Sequence, residues 1–186
     1  MNHDDEKKLK AAAESIPCLG LETAIALTGL AKRTLWRRMG EGSLRKLSSS
    51  DREGGRGVGA SSASTRLVLE DVLNLAGLSL DREQRALLER ADSGDVEAQA
   101  EMGQMLGQMQ RPEAAIYWLQ RAADHNHADA MQSLGRCYAA GEGVARDEHL
   151  SMMWIARAAA LGHSIARLQM VQIMGVSGGR VAGDVS

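Results

Sequence analysis

The sequence predicts a mainly α-helical protein in two parts, a compact helix-turn-helix unit in the first half and a short solenoid of stacked helix pairs in the second. Three observations predict this. In the second half, residues recur at an offset of 36: Trp118 and Trp154, Ala122 and Ala158, Ala123 and Ala159, Ala130 and Ala166. In the first half, two short helical patterns flank Gly29, and the second of them gathers cations on one side. The two halves also differ in charge. Residues 16–77 hold nine Lys or Arg against six Asp or Glu, a net of +3, whereas residues 81–174 hold nine Arg and no Lys against thirteen acids, a net of −4. The first half is therefore the one suited to meet a polyanion.

A chain of 186 residues with 44% hydrophobic content has room for two small packed cores. With no Phe and 10 Met, those cores are built from Leu, Ala and Met. The charged stretch Met1 to Glu14 lacks the apolar run of a secretion signal, and no segment approaches the ~18 apolar residues that span a bilayer. These features predict a cytoplasmic chain with no membrane contact. Cys18 and Cys137 stand alone, one in each half, and read as reduced thiols.

In chain order, residues 1–15 read as a flexible arm and residues 16–77 as the first domain. Thr23 to Thr28 suits a short helix with Ala24 and Leu27 inward. Gly29 supplies a positive φ for the turn, and Ala31 to Met39 suits a second helix. Leu35 and Met39, four apart, face the core with Leu30, which leaves Lys32, Arg33, Trp36 and Arg37 on the outside. Residues 48–64, rich in Gly and Ser and carrying Arg52 and Arg56, read as a disordered insertion. A β-like piece follows from Arg66, and Glu70 to Leu75 closes the domain as a helix.

The run Thr34 to Met39, followed by Glu41 to Leu44 and then Arg66 to Leu73, resembles the winged helix-turn-helix domain of the excisionase and MerR type. Ala31 and Arg38 stand where that family more often has a capping Ser or Thr and an aromatic. The resemblance implies that the second helix enters a major groove and that a strand pair forms a wing over the phosphates. By position, Lys32, Arg33, Thr34, Trp36 and Arg37 would then face DNA, and Arg45, Lys46 and Arg66 would flank the wing. The same surface also reads as a protein contact, because a net of +3 is modest for a DNA-binding module.

The second domain spans residues 81–174. Over Ala130 to Ala166, the residues Ala130, Gly135, Tyr138, Gly141, Gly143, Asp147, Trp154, Ala158, Gly162 and Ala166 resemble the Sel1-like repeat, a relative of the tetratricopeptide repeats. An earlier copy carries Ala98, Gly103, Trp118 and Ala122. It is four residues shorter at the loop, where Gln110-Arg111-Pro112 makes the turn. Helices are predicted over 82–93, 95–108, 112–125, 128–141, 147–161 and 164–174. The first of these caps the array as half a repeat. Gly94, Asn126 and Gly162 occupy equivalent helix ends that suit a left-handed cap. Met102, Met105, Leu106, Leu134, Met153, Met170 and Ile173 are expected to fill the core, and residues 175–186 read as a disordered tail. The resemblance implies a superhelix that holds other proteins and has no catalytic residues of its own.

No chemistry-bearing constellation appears. His125 and His127 near Asp124 and Asp129 lack the spacing and number of a structural zinc site. Gly54-Gly55-Arg56-Gly57 lacks the strand, lysine and helix of a phosphate loop, and Gly141-Glu142-Gly143 is a repeat turn. No metal, cofactor or catalytic set is expected. The leading expectation is a DNA-binding transcriptional regulator or adapter of bacterial type that contacts double-stranded DNA through the first domain and a protein through the repeats. One small reader supplies a single half-site, so this reading implies a homodimer or co-binding partner. The alternative is a cytoplasmic protein-interaction adapter without DNA binding.

Overall fold

The computed structural model describes residues 16–47 and 65–178. The arm, the Gly/Ser insertion and the last eight residues lie outside the described residues. The chain forms two units, Met1–Asp81 and Arg82–Ser186.

In the first unit, β1 (Cys18–Gly20) leads straight into α1 (Leu21–Thr28), and α2 (Lys32–Gly40) follows after a three-residue turn. Gly29 takes φ 66° there, and its N–H closes α1 on the Ile25 carbonyl. Ala31 stands at the N-cap of α2 with no side-chain bond, so the Ala31 carbonyl alone starts the helix, accepting from Thr34 N–H at 2.8 Å. β2 (Lys46–Leu47) and β3 (Arg66–Val68) are the wing strands, and α3 (Leu69–Ala76) closes the unit.

The sheet is wider than the sequence predicts. β3 is its central strand, in the order β1-β3-β2, with both neighbours antiparallel and Leu67 opposite Leu19 on one side and Lys46 on the other. The sequence reading missed β1 because three residues between Pro17 and a helix cannot display a two-residue alternation. Leu19, Ala24, Leu27, Leu35, Leu44, Leu67 and Val72 form the buried centre. Every element of the unit except β2 thus contributes an aliphatic side chain to the buried centre.

The second unit is six helices: α4 (Arg82–Ser93), α5 (Val96–Gln108), α6 (Pro112–Asp124), α7 (Ala128–Ala140), α8 (Glu148–Ala160) and α9 (Ser164–Gly178). Trp118, Ala122, Ala130, Leu134, Ala158 and Ala166 are buried between them, with Trp154 5% exposed. The alanines let helix axes approach, and the two tryptophans fill the space so created. Gly94, Asn126 and Gly162 take φ of 106°, 64° and 96°, the shared left-handed position at the end of each second helix.

Three glycines are required by contact. A Cβ on Gly103 would stand 2.7 Å from Leu119 Cγ, and one on Gly135 would stand 2.6 Å from Ile155 Cγ1. Each first helix therefore carries a notch for its partner. Gly143, at φ 72°, lies so close to the Pro112 carbonyl that a Cβ would overlap it, which docks the loop of one repeat on the helix start of the repeat before.

Two expectations are corrected here. Met153 lies on the outer side of α8 and is 40% exposed, because the buried stripe of that helix runs through Ser151, Trp154, Ile155 and Ala158. The tail does not begin at Gly175, since α9 continues to Gly178. A single glycine costs a formed helix only about 1 kcal/mol, and propagation from a nucleated helix is easy.

Candidate functional site

Between α5 and α7 the second unit opens a groove of about 650 Å³. Its walls are the first helices of the two repeats. Gln104 and Gln108 project from α5, Gln132, Ser133 and Arg136 from α7, and Leu119 of α6 lies at the floor. A second hollow of about 530 Å³ between α4 and α5 shares Gln104 and Gln108, so these amides form a ridge with a hollow on either side.

The groove is polar, and beside the paired Asp129 and His163 it holds polar side chains without a partner among the described residues. Gln132 is only 7% exposed, yet its amide has no hydrogen-bond partner among the described residues. Arg136 likewise lacks an ion pair among them. A ligand that supplies a donor and an acceptor can meet these groups. Cys137 lies in the same wall. Burial pushes its thiol up, Glu142 pushes the same way and Arg136 opposes. It is therefore held as a neutral thiol rather than a nucleophile.

The repeats are joined by a device that the sequence reading did not isolate. The Nδ1 of His127 accepts from Ala130 N–H at 3.3 Å and that of His163 from Ala166 N–H at 3.1 Å, each capping its helix. An accepting Nδ1 places the ring proton on Nε2. That nitrogen meets Glu97 Oε2 at 3.0 Å in one case and Asp129 Oδ1 at 3.3 Å in the other. Each carboxylate sits in the first turn of the preceding first helix, so one imidazole links a helix start to its neighbour. Neither ring belongs to a metal cluster, and the described residues contain no group of three or more His, Cys, Asp or Glu able to hold an ion.

In the first unit the sequence-predicted residues separate into two sets. Lys32, Arg33, Trp36 and Arg37 are exposed on α2, with Trp36 44% exposed and Thr34 half-buried beside the fully buried Leu35. Lys46 joins them from the wing, its Nζ 5.9 Å from the Trp36 ring centre. Lys32 lies 3.9 Å from Glu22 and Arg37 3.7 Å from Glu41, loose exposed pairs that leave both cations accessible.

Arg45 and Arg66 are engaged within the fold instead. The Arg45 guanidinium donates to both oxygens of Asp71, at 2.9 and 2.8 Å, and its backbone N–H donates to Oδ2 at 2.8 Å. These bonds hold the Asp71 carboxyl below the usual carboxylate range. Arg66 donates to the Cys18 carbonyl at 2.8 Å and to its sulfur at 3.3 Å. Arg45 thus ties the wing to α3 and Arg66 ties β3 to β1, whereas Lys46 reaches toward Trp36.

The geometry of the second unit defines a class, the α-solenoids, in which helix pairs stack on their neighbours, each pair here closed on a glycine notch. Residues 96–127 and 128–163 each match the Sel1 repeat family, and the second unit is an array of Sel1 repeats. The chain is similar to the crystal structure of a Sel1 repeat protein from Oxalobacter formigenes at 30% identity, over 55% of this chain and 82% of that one, with a TM-score of 0.46. It is also similar to a protective antigen of uropathogenic Escherichia coli displaying an SLR fold, at 30% identity and a TM-score of 0.46. That match covers 52% of this chain and spans 22% of the antigen's length. No curated protein matches the chain significantly. Both matched repeats lie in the second unit.

Proposed function

We propose that this chain is a protein-interaction scaffold whose Sel1 repeats hold a segment of a partner polypeptide in the groove between α5 and α7. The observation that carries this reading is the set of unpartnered side chains there, Gln104, Gln108, Gln132 and Arg136, around an open space of about 650 Å³. Carboxamides pair a donor and an acceptor on one plane, which matches the backbone N–H and C=O of an extended chain. Arg136 adds a cation for an acidic side chain or a terminal carboxylate. The test is site-specific photo-crosslinking in cells from Gln108, followed by titration of the captured protein onto Arg136→Glu. Crosslinking into one partner, with affinity reduced roughly tenfold or more by Arg136→Glu, supports the groove. A partner captured only from positions outside the groove would sink the reading.

A second reading keeps DNA as a ligand of the first unit, supported by the exposed set Lys32, Arg33, Trp36, Arg37 and Lys46. Four of these are cations, so the logarithm of affinity should fall against the logarithm of salt with a slope of magnitude no greater than about 4. Anisotropy with duplex DNA across a salt series decides it. Absence of binding at low salt, from folded protein, leaves the scaffold reading alone.

A further inference from the structure

The last helix departs from its counterparts on one face. Aligning α9 with α5 and α7 through Ala98, Ala130 and Ala166 puts Ile165 where Glu97 and Asp129 stand, Leu168 where Ala100 and Gln132 stand, and Val171 where Gly103 and Gly135 stand. In the two earlier helices these positions receive neighbours. Glu97 and Asp129 meet the histidine of the next repeat, Ala100 and Gln132 are buried, and the glycines take Leu119 and Ile155 into their notches. In α9 all three positions are apolar and open, with Ile165 56%, Leu168 67% and Val171 69% exposed. Val171 fills the notch, so no helix arriving as α6 and α8 arrive can seat there.

We propose that this face is a self-association surface that takes the α9 of a second copy, antiparallel across a two-fold axis. Two properties argue for a second copy. A two-fold contact sets each residue type against its own kind, and α9 carries a single charge, Arg167, whose guanidinium is turned back to the Ala159 carbonyl at 3.3 Å. The face thus pairs with itself free of like-charge repulsion. It is also complementary to itself in shape. Leu168 and Gly175 lie about two turns apart on the same side with Val171 between them, and the space beside Gly175 is open. With the axis between residues 171 and 172, Leu168 of each copy enters the glycine position of the other. This repeats the contact that Leu119 makes with Gly103 inside the repeat.

Sedimentation velocity of the full chain, over concentrations up to roughly 200 µM, tests the proposal. The wild-type chain should show a monomer–dimer equilibrium. Leu168→Glu should raise the dissociation constant roughly tenfold or more by placing a carboxylate in an apolar contact. Its melting temperature under monomeric conditions should match that of the wild type. Leu168→Lys and Gly175→Glu should each weaken the dimer, and the double variant should regain affinity because the new charges meet across the axis. A wild-type chain that stays monomeric throughout, or a dimer that survives Leu168→Glu, overturns the surface. A double variant no tighter than either single variant overturns the pairing register.

Discussion

His127 and His163 each use one ring for two contacts, a cap on the helix they begin and a bond to a carboxylate on the first helix of the repeat before. Asp95 performs the capping half of this task at the start of α5, accepting from Ala98 N–H at 3.1 Å. Loss of a capping side chain costs about 1 kcal/mol. His127→Ala is therefore expected to lower stability by about 1 kcal/mol in urea unfolding, and His127→Asn, which keeps a capping oxygen, by less. Equal losses for the two variants would show that the cap contributes nothing. In the first unit the corresponding residue pair is Arg45 and Asp71. The hydrogen bonds from Arg45 depress the Asp71 carboxyl in the folded state, so the unfolded state holds that proton more tightly and stability rises with pH across the interval. The contribution is complete above the ordinary carboxylate value of about 4 and is lost as pH falls through the lower folded value. Asp71→Asn should accordingly be less stable than the wild type at about pH 6, with the gap narrowing towards about pH 3. A gap that stays constant with pH would remove the carboxylate from the explanation.

At the scale of elements, the repeat depends on glycine notches where one helix meets the next. Gly135→Ala drives a methyl into Ile155 and towards the Ser151 carbonyl at 3.1 Å, an overpacking that should cost roughly 1–3 kcal/mol. Gly175→Ala, where a Cβ meets nothing within 4 Å in the single chain, should under monomeric conditions be neutral or gain up to about 1 kcal/mol from helix propensity. Thermal melts of the two variants in parallel check this, and similar midpoints would refute the notch. The sequence exposed these elements because the paired alanines, the notched glycines and the left-handed caps recur in register, so three independent signals fix the same boundaries. The groove was less legible. Gln104 and Arg136 both follow a notch glycine directly, but unlike residues at matched positions produce no visible repeat. On the first unit, periodicity correctly turned Lys32, Arg33, Trp36 and Arg37 outward around Leu35. Nothing local to Arg45 or Arg66 announces partners 26 and 48 residues away, so a long-range pairing was read as two free cations.

For the molecule as a whole, a solenoid holds each repeat through its neighbours, so damage at one end should decay along the array. α9 contributes Ala166 and Met170 to the cluster that buries Trp154 and Ala158. Trp118 is fully buried one repeat earlier, on α6, which remains when α9 is removed. A chain ending after His163 should therefore lose on the order of 2–4 kcal/mol from the second unit, set by the apolar area uncovered on α8. Hydrogen exchange should quicken in α8 and change little in α5 and α6. Trp154 emission should shift to the red, and a Trp154→Phe background should remove that shift, leaving the signals of Trp36 and Trp118 as they are in the full chain. Uniformly faster exchange from α4 to α8 would instead mean that the six helices unfold as one cooperative block. The graded outcome is the one expected from an array that closes each helix pair on a glycine notch and passes its contacts to the next pair through one imidazole at a time.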